Sequence, residues 1–575
     1  MAVNNAEIAA IFEKIADILE FENANVFRIR AYRNAARIVN NLPWQVSAVL
    51  SKGESLPHLR GIGADLAGKI AEIVATGHSS MLDRLSREAP AGLVELLALP
   101  GLGPKRAKTL YDELHVTSLK NLQEMAEKGR IRALPGFGAR TETRILDALK
   151  QHRKTADRHL ISTAEREANA LAAHLRQLAA VKDVAVAGSL RRARETIGDI
   201  DILATAAKGS DVIQHFVSYA QTQEVQAQGP TRATIVLRSG LQVDLRVVPE
   251  ESYGAALTYF TGSKAHNIAL RRLARERGLK INEYGVFKGK KRIAGDTEKS
   301  VYATLGLPWI PPELREDRGE IEAARGKRLP QLIEFGDLWG DLHVHTTASD
   351  GRNSLSEMAA AAAAHGLEYI AITEHSQHLR ISRGLTREEL LAEMDKIDRL
   401  RGRKPGVVIL KGIEVDILED GALDFDDSVL SRLDLVIGAV HSHFALSREK
   451  QTERLMRAMD HSYFTILAHP NGRLFPARPS YEVDMERVIR HAKARGCFLE
   501  LNAQPERLDL LDVQCMLAKE EGVLIAITSD GHSVFDYDFL RYGVAQARRG
   551  WLEKSDVLNT RPYKALKPLL AATMG

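Results

Sequence analysis

From residue 338 to the end of the chain, short apolar runs alternate with helix-forming segments. The runs YIAIT, VVILKGIEV, LVIGAVHSH, TILAHP, CFLELNA and VLIAITSD have the composition of buried strands. Strands that alternate with helices form parallel sheets, because each parallel connection needs a crossover. This repeat therefore predicts a βα barrel, a fold that places its chemistry at the carboxyl ends of its strands.

Imidazoles and carboxylates stand at the ends of these runs. The stretch WGDLHVHTTASDG places His343 and His345 on one face of a strand, with Asp350 just beyond. A lone histidine is usually an ordinary core or surface residue, but H-x-H and D-x-H pairs that recur after successive strands indicate a metal site. Nitrogen and oxygen ligands suit Zn²⁺, Mn²⁺ or Fe²⁺, and so many ligands predict two or three ions. The further candidates are His375, Glu414, His441, His469, Asp530 and His532.

Length and composition limit the class of protein. A chain of 575 residues is too long for one core, and roughly three to five domains are expected. The N-terminus predicts an amphipathic helix and not a signal peptide, and no apolar run is long enough to cross a bilayer. The two cysteines, Cys497 and Cys515, form no CxxC pair, which fits a reducing cytoplasm and argues against thiolate metal sites.

Charge divides the chain into two parts. Residues 1–330 carry 49 Lys and Arg against 38 Asp and Glu, whereas residues 331–575 carry 30 against 37. A basic first part favours a polyanionic partner. The acidic second part also holds 11 of the 19 histidines, which favours bound cations. Solvated surfaces would explain the same charges, so charge alone does not decide between these interpretations.

One glycine pattern occurs three times within residues 1–150, a stretch that is expected to be all-helical with short Gly-containing breaks. The segments LRGIGADLAGKI, LPGLGPKRAKTL and LPGFGARTETRI each place two glycines before a helix start. The glycines permit a tight turn, and the helix N-terminus offers unpaired N–H groups to a phosphate. The pattern resembles the helix-hairpin-helix motif, which holds nucleic acid without reading its sequence. The predicted DNA-binding glycines are Gly61, Gly63, Gly101, Gly103, Gly136 and Gly138.

Lys69 follows the first of these hairpins. A lysine at this place either contacts phosphate or, as a neutral amine, acts as a Schiff-base nucleophile. Nearby, the run FRIRAYRNAARI offers candidates to hold a 5′ phosphate, namely Arg28, Arg30, Tyr32 and Arg33.

The run AGSLRRARETIGDIDIL and the later run QVDLRVV carry three acids. Asp199 and Asp201 lie two apart, so their carboxylates share one face of a strand, and Asp244 arrives on another strand. Three convergent carboxylates can bind two Mg²⁺ ions, one for an attacking hydroxyl and one for a triphosphate leaving group.

Groups suited to phosphate precede these acids. Gly188 and Ser189 offer backbone N–H groups and a hydroxyl, and Arg192 offers a guanidinium to a terminal phosphate. A DxD pair alone is also found as an exposed feature of an edge strand. Here the apolar Ile200 and Ile202 alternate with the acids and Gly-Ser-x-Arg-Arg precedes them, which together indicate nucleotidyl transfer.

The motifs GSLRR…GDIDIL, QVDLRVVP and YFTGSKAHNIALRRLARERGLKINEYGVF together resemble the catalytic core of family X DNA polymerases. The resemblance covers residues 1 to about 310. It implies a chain of all-α helix-hairpin-helix domains followed by an α+β palm and thumb. The implied divisions are a lyase-like domain (1–85), fingers (86–153), a nucleotidyltransferase palm (154–250) and a thumb (251–315). The charged, Pro-rich composition that follows predicts an ordered linker (316–337).

The resemblance also implies roles for single residues. Asp199, Asp201 and Asp244 would hold Mg²⁺ or Mn²⁺, and Lys69 would be the lyase nucleophile. The implied contacts of the incoming dNTP are Gly188, Ser189, Arg192, Tyr259, Phe260, Gly262, Lys264 and Asn267.

Four positions depart from the animal repair polymerase of that family. Phe27 replaces a histidine and Asp65 replaces a lysine, which leaves a deoxyribose-phosphate lyase activity at Lys69 an open question. Gln242 replaces an arginine beside the third aspartate. Lys264 replaces an acid near the nascent base, and its charge is expected to strengthen binding of free nucleotide.

The ligand set of residues 338–575 resembles the polymerase and histidinol phosphatase (PHP) domain, a distorted (β/α)7 barrel with a trinuclear Zn²⁺ or Mn²⁺ site. Glu374 stands where that family often has an aspartate and is not a predicted ligand. The resemblance assigns His343, His345, Glu414 and Asp530 to one ion, Glu414, His441 and His469 to the second, and Asp350, His375 and His532 to the third.

The two resemblances together predict a gap-filling DNA repair polymerase joined to a 3′→5′ exonuclease, with abasic-site cleavage and 3′-phosphate removal as further reactions. The expected partners are gapped or nicked DNA and dNTPs, without a membrane, for a cytoplasmic monomer. The sequence leaves two alternatives open. One is a DNA-end-binding scaffold with decayed sites, and the other is a phosphatase of a small metabolite that the first part merely tethers.

Overall fold

The computed structural model divides the chain into two compact units, Met1–Asp157 and Arg158–Gly575. The residues it describes are 5–40, 46, 50, 61–76, 79–90, 92–97, 99, 102–138, 141–146, 148, 149, 158–403 and 406–575. The predicted hairpin residue Gly101 lies outside the described residues, as does the predicted boundary near residue 153. Within the described residues, no helix is long and apolar enough to cross a membrane.

The first unit is built from amphipathic helices. Helix Asn5–Phe21 buries Phe12 and Ile15, and the ring of Phe12 packs edge-to-face on Tyr32 of helix Val26–Asn40, with centroids 5.6 Å apart. Every element described in this unit is helical, as the sequence predicts. The other helices are Ala64–Thr76, Ser80–Glu88, Leu93–Leu97, Pro104–Leu114 and Leu119–Glu127, and residues 141–146 are also helical.

A mixed sheet forms the palm of the second unit. In chain order its strands are β1 (His159–Leu160), β2 (Val184–Val186), β3 (Thr196–Ile197), β4 (Asp199–Thr205), β5 (Thr222–Gln228), β6 (Arg232–Leu237) and β7 (Gln242–Val248). β1 pairs with β3, and the others lie in the order β2-β4-β7-β6-β5, with β4 and β7 parallel. Ile200 and Ile202 of β4 are buried in one core with helices Ile161–Arg176 and Gly209–Val217. Because side chains alternate along a strand, the acids of β4 lie on the other face.

The thumb combines helices with a small antiparallel sheet. Its strands β8 (Lys280–Asn282), β9 (Gly285–Lys288) and β10 (Lys291–Ala294) lie in the order β10-β9-β8. Its helices are Tyr253–Thr261, Lys264–Glu276 and Glu298–Thr304. The predicted linker is folded onto the thumb, because Ile321 of helix Glu320–Arg325 is buried in one core with Leu270 and Tyr302.

The remaining strands form a ring of parallel pairings. They are β11 (Gly340–Val344), β12 (Tyr369–Ile372), β13 (Val408–Lys411), β14 (Glu414–Asp416), β15 (Ile437–Ala439), β16 (Ile466–Leu467), β17 (Phe498–Asn502) and β18 (Ile525–Thr528). β11 to β13 pair in sequence, as do β14 to β18. The N–H of Glu414, at the start of β14, donates over 2.9 Å to the carbonyl oxygen of Glu374, which follows β12. This hydrogen bond links the two sets of paired strands. The N–H of His345 donates to Gly531 over 2.8 Å, which joins the first strand to the last.

Helices follow most of these strands, as the βα repeat predicts. They cover the outside of the ring and bury one large apolar core. Their bounds are Leu355–Ala364, Arg387–Gly402, Asp427–Leu430, Arg448–Met459, Met485–Arg495, Asp512–Glu521, Leu540–Arg549 and Tyr563–Ala571.

Candidate active sites

Asp199, Asp201 and Asp244 converge on one face of the palm sheet. In the parallel pairing of β4 with β7, Asp201 lies directly beside Asp244, and Asp199 lies beside Gln242. The two strands are neighbours because their alternate apolar residues share one buried core. The structure therefore brings together the three carboxylates that the sequence predicts as ligands.

Crowding changes the ionisation of Asp201. Burial, followed by the negative charges of Asp199 and Asp244, raises the pKa of Asp201 to about 7. A divalent cation relieves the repulsion among such carboxylates, so the group favours cation binding. A donor set of carboxylate oxygens suits Mg²⁺ or Mn²⁺.

Two neighbours orient Asp244. Thr234 Oγ1 donates to its Oδ1 over 2.5 Å, and Gln242 Nε2 donates to its Oδ2 over 2.8 Å. Gln242, one of the departures from the family pattern, therefore helps to fix the orientation of this carboxylate. No local sequence pattern indicates Thr234, which reaches the site through the pairing of β6 with β7.

Gly188 and Ser189 form a cradle beside the acids, at the start of helix Gly188–Arg191. Gly188 has a φ of 63°, and a Cβ there would lie 2.1 Å from Oδ2 of Asp201, so only glycine fits. The hydroxyl of Ser189 is buried and has no hydrogen-bond partner among the described residues of the palm. Because an unpaired buried hydroxyl is costly, this oxygen is placed for a ligand.

Arg192 spans from the cradle to the turn after helix Tyr253–Thr261. Its Nη1 donates to the carbonyl oxygen of Thr261 over 2.5 Å, and its Nε donates to Glu316 over 3.1 Å. A Cβ on Gly262 would lie 3.1 Å from that Nη1. The composition around Glu316 predicts a linker and does not indicate the contact of this residue with the site.

The predicted nucleotide turn is held by Asn267. Its Nδ2 donates to the carbonyl oxygen of Tyr259 over 2.7 Å. Tyr259 and Phe260 are half-buried and meet edge-to-face, with ring centroids 5.2 Å apart. Lys264 is the first residue of helix Lys264–Glu276 and is exposed.

The second glycine of each predicted hairpin begins a helix in the same way. The carbonyl oxygens of Gly63, Gly103 and Gly138 accept hydrogen bonds of 3.0 Å from the following helices. Beyond the adjacent chain, nothing lies within 4 Å of a Cβ built on any of the three, so another backbone can approach them. Gly61 and Gly136 precede two of them with φ values of 96° and 80°.

Lys69 forms an ion pair with Asp65, one helical turn earlier. The lysine side chain is 18% exposed, so it is reached only partly by solvent. The ion pair engages the amine nitrogen, which a Schiff-base nucleophile needs free for its attack. The geometry therefore opposes the lyase role.

Two candidates for a 5′ phosphate are engaged elsewhere. Tyr32 is buried in the helical core. Arg33 donates to Glu13, Asp17 and Glu20 at 2.7 to 2.8 Å. The sequence does not show that three acids of the first helix face Arg33, and the binding of a 5′ phosphate by these two residues stays a prediction. Arg28 and Arg30 are exposed.

The nine predicted barrel ligands gather at the carboxyl ends of the parallel strands. They are His343 in β11, His345 and Asp350 after β11, His375 after β12, Glu414 after β13 and at the start of β14, His441 after β15, His469 after β16, and Asp530 and His532 after β18.

The first group surrounds one oxygen each of Glu414 and Asp530. Nε2 of His343 lies 3.5 Å from Oε2 of Glu414 and 3.5 Å from Oδ1 of Asp530. Nε2 of His345 lies 3.6 Å and 3.2 Å from the same two oxygens. These four residues are the set that the sequence analysis assigned to one ion.

Glu414 also contacts the second predicted group through its other oxygen. Oε1 lies 2.9 Å from Nε2 of His469 and 3.3 Å from Nε2 of His441. The third group centres on Asp350, whose oxygens lie 3.4 Å from Nε2 of His375 and 3.3 Å from Nε2 of His532.

The donor atoms of these groups fit metal ions better than they fit hydrogen bonds. Nε2 of His343, both ring nitrogens of His345, Nδ1 of His375 and Oε2 of Glu414 are buried without a hydrogen-bond partner in the described part of the barrel. Close nitrogen and oxygen atoms that do not align for hydrogen bonding are what shared ions require. Among the described residues, the ligand atoms that lie within 4.8 Å of one another form three overlapping groups, namely His345, Asp350, His375 and His532; His343, His345 and Asp530; and His375, Glu414 and His441. These groups share His345 and His375 and do not include His469, so they differ from the predicted division among three ions.

The protonation of the imidazoles differs within the cluster. Burial lowers the pKa of His343, but the carboxylates of Glu500, Asp530 and Glu414 outweigh burial and raise it well above its usual value. Burial and the neighbouring imidazoles lower the pKa of His345 to about 3, so that ring is neutral and ready to bind a cation.

Carboxylates behind the ligands were missed by the sequence analysis. Oε1 of Glu500 lies 2.6 Å from Nδ1 of His343, and Oδ1 of Asp416 lies 2.6 Å from Nδ1 of His441. Such partners fix the orientation of a ligating imidazole. The signal that could have found them is an acid inside a strand that is otherwise apolar, as in CFLELNA. Glu374 accepts hydrogen bonds from Thr346 and is not among the grouped ligands.

Four family models match the chain. The matched families are "Helix-hairpin-helix domain" (residues 3–79), "SAM-like Helix-hairpin-helix tandem" (93–151), "DNA polymerase beta thumb" (256–316) and "PHP domain" (341–504). The DNA polymerase/3′-5′ exonuclease PolX of Bacillus subtilis (strain 168) is 40% identical over 572 residues, which cover 99% of each chain. The chain belongs to the family X DNA polymerases that carry a PHP domain. Polymerase and PHP domains of this kind are generally metal-dependent, as both sites indicate.

Two partial similarities accompany this family X assignment. A probable phosphatase of Thermoanaerobacter sp. (strain X514) is 32% identical over 231 residues, which cover 38% of this chain and 89% of the phosphatase. A crystal structure of Leishmania infantum polymerase beta, a ternary P/T complex, matches 38% of this chain and 96% of its own at 22% identity. Its TM-score of 0.27 is too low for an argument about the fold.

Proposed function

We propose that this family X chain fills gaps in DNA during repair and resects DNA 3′ ends with its PHP domain. Its substrates are gapped or nicked DNA and dNTPs. The observation that carries the proposal is the presence of two complete ligand sets, one around Asp201 in the palm and one around Glu414 in the barrel. A scaffold with decayed sites would have no reason to keep both.

In the palm, the three aspartates would hold Mg²⁺ or Mn²⁺. When bound, the ions favour the ionised primer hydroxyl and neutralise charge on the triphosphate. The hydroxyl of Ser189 and the backbone at Gly188 receive the phosphates, while Arg192 offers its guanidinium to them. The primer 3′ oxygen then attacks the α-phosphorus, and pyrophosphate leaves.

The polymerase core spans roughly the first 310 residues. Within it, the nucleotide turn and the helix-hairpin-helix glycines hold the nucleotide and the DNA. The turn at Tyr259 and Phe260, fixed by Asn267, offers a flat surface to the incoming sugar. The open backbones at Gly63 and Gly103 suit phosphates of the DNA duplex.

In the barrel, the nine ligands would hold Zn²⁺ or Mn²⁺. When bound, such ions supply a hydroxide at neutral pH and polarise a phosphoryl group. Glu500 and Asp416 keep His343 and His441 in the orientation that ligation needs. Hydrolysis of the last phosphodiester releases one nucleotide, and abasic-site cleavage and 3′-phosphate removal break bonds of the same class.

The two sites can be tested separately. The double variant Asp199→Ala/Asp201→Ala should abolish primer extension on gapped DNA and leave 3′-end resection largely intact. His343→Ala should do the reverse. Metal content by mass spectrometry would accompany both assays, with and without chelator. If either variant removes both activities while the protein remains folded, the two-site proposal is wrong.

A small-molecule phosphatase is the second candidate for the barrel. The probable phosphatase matches only 38% of this chain, whereas the polymerase/3′-5′ exonuclease of Bacillus subtilis matches 99% of it, so this alternative is not favoured. The rates on a DNA 3′ end and on p-nitrophenyl phosphate separate the two candidates. The exonuclease proposal requires resection of DNA to have the higher kcat/KM.

A further inference from the structure

The segment Gly188–Glu195 is here named the phosphate loop. It begins with the cradle residues Gly188 and Ser189 and ends just before β3. Its backbone is left-handed at Ala193, which has a φ of 53° although it is not a glycine. Such a conformation costs free energy and persists only where surrounding contacts hold it. Two of the contacts that hold this loop come from arginines of the PHP domain.

Arg549 makes the first contact. It is the last residue of helix Leu540–Arg549, and its side chain is 1% exposed. Its Nη1 donates over 2.7 Å to the carbonyl oxygen of Arg192, in the peptide that leads into Ala193. Its Nη2 donates over 2.6 Å to Asp512, so the barrel itself holds the guanidinium in place.

Glu316 links Arg549 to the side chain of Arg192. Its Oε1 accepts from Nη1 of Arg549 at 2.9 Å and from Nε of Arg192 at 3.1 Å. The carbonyl oxygen of Thr261 accepts a hydrogen bond from Nη1 of Arg192. Among the residues described in this unit, Nη2 of Arg192 makes no hydrogen bond, and it is the nitrogen left to meet a phosphate.

Arg473 makes the second contact with the loop. Its Nη1 lies 3.2 Å from Oε1 of Glu195, at the end of the loop. Its Nη2 donates over 2.6 Å to the carbonyl oxygen of Leu508. Leu508 is a barrel residue that is buried in the palm core, so this contact is also anchored on both domains.

We propose that Arg549 and Glu316 are positioning residues for the incoming nucleotide. The docked PHP domain holds the phosphate loop and Arg192 in the geometry that receives a triphosphate. The inference rests on the proposed function, in which Arg192 contacts the dNTP. Nucleotide affinity in the palm therefore depends on the domain that carries the opposite reaction.

The test is Arg549→Ala in the full-length chain. The Kd for dNTP with Mg²⁺, measured without turnover, and the KM for dNTP on gapped DNA should both rise about tenfold, the effect of losing a hydrogen bond to a charged group. The kcat should change less, and 3′-end resection should persist. An unchanged Kd in a folded variant would overturn the proposal.

Arg548→Ala is the matched control. Arg548 is the neighbouring residue, and it joins the PHP domain to the thumb through Glu313 at 2.7 Å and to the segment after the thumb through the carbonyl oxygen of Ile333 at 2.9 Å. It does not contact the phosphate loop, so its Kd for dNTP should stay near that of the unaltered chain. An equal rise in both variants would mean that docking in general, and not Arg549, sets the affinity.

Glu316→Gln provides a second test with little change of shape, should Arg549→Ala fail to fold. The positioning role predicts a weaker dNTP complex, because Arg192 loses its charged partner. Tighter binding would show that Glu316 competes with the phosphate and would reject the proposal. If the unaltered chain binds dNTP but does not extend primers, the proposed function is wrong. The ratio of the Kd for dNTP of Arg549→Ala to that of the unaltered chain still tests the positioning role in that case.

Discussion

Oε1 of Glu500 lies 2.6 Å from Nδ1 of His343, and Oε2 of the same carboxylate accepts the N–H of His469 over 2.6 Å. One side chain on β17 thereby orients ligands of two different metal groups. Thr528 donates to it over 2.6 Å as well, so the carboxylate is fully engaged in the barrel interior. Loss of its charge should loosen both groups together.

We expect Glu500→Gln to weaken metal retention by the barrel about 10–100-fold, the usual effect of removing a partner behind a ligand. Resection of 3′ ends should fall with it, and primer extension should not. Mass spectrometry after dialysis against a chelator measures the retained metal. Glu520→Gln, an exposed acid of helix Asp512–Glu521, is the control. Full metal retention in Glu500→Gln would contradict the expectation.

Glu298 joins two arginines where the palm meets the thumb. Its oxygens accept from Arg191 at 2.8 and 2.9 Å and from the fully buried Arg315 at 2.7 Å. Breaking a buried pair leaves an uncompensated charge, so Glu298→Gln should lower the free energy of unfolding by about 3–5 kcal/mol. Urea unfolding at neutral pH measures this loss.

The pH dependence of that loss has a definite sign. Burial raises the pKa of Glu298, but the guanidinium groups of Arg191 and Arg315 outweigh burial and lower it from 4.5 to about 2. A lowered pKa in the folded state stabilises the protein above pH 4.5, and the contribution disappears as the pH falls from 4.5 to about 2. The stability difference between the two proteins should shrink over that window. A constant difference would count against the ion pair as its cause.

Strand periodicity was enough to predict the ligands that lie within one run. Asp199 and Asp201 share a face because side chains alternate, and the barrel ligands share an end because the strands are parallel. β5, in contrast, was not predicted. Six of its seven residues are exposed, and it is held by hydrogen bonds to β6 and not by apolar side chains of its own.

Contacts that depend on domain docking left no local pattern. Arg549 reaches Arg192 across most of the chain, and the charged segment around Glu316 has the composition of a linker. The role of Glu316 follows from the folded structure, in which burial of the nearby Ile321 in the thumb core holds this segment against the thumb. The sequence therefore predicted the reacting groups and missed the residues that position them.

Lys264 allows a test of nucleotide binding without DNA. Lys264 is the first residue of helix Lys264–Glu276, which follows the nucleotide turn, and its side chain is exposed. Lys264→Asp reverses that charge, and with about 1 kcal/mol per charge in water the Kd for free dNTP should rise roughly tenfold or more. Titration of dNTP without DNA measures it. Lys291→Asp, an exposed lysine of β10, should have little effect. Equal affinities would remove the proposed role of Lys264.

Two large apolar side chains stand exposed at the mouth of the barrel. Phe535 is 77% exposed and follows His532, and Ile381 is 82% exposed and follows His375. The loop of Phe535 is fixed, because Asp536 accepts the N–H of His532 over 2.9 Å. Apolar surface beside a metal cluster suits the base of a nucleotide and offers nothing to a small phosphate ester.

We therefore expect Phe535→Ala to raise the KM for a DNA 3′ end about tenfold, since stacking a base on an aromatic ring contributes about 1–3 kcal/mol. Hydrolysis of p-nitrophenyl phosphate should be unchanged, because that ester is too small to need the ring. Phe335→Ala removes a phenylalanine that is 48% exposed and is not part of a ligand loop, and it should affect neither substrate. If both substrates suffer equally in Phe535→Ala, the ring supports the metal loop instead of the base, and the case for DNA over a small ester at this barrel is weakened.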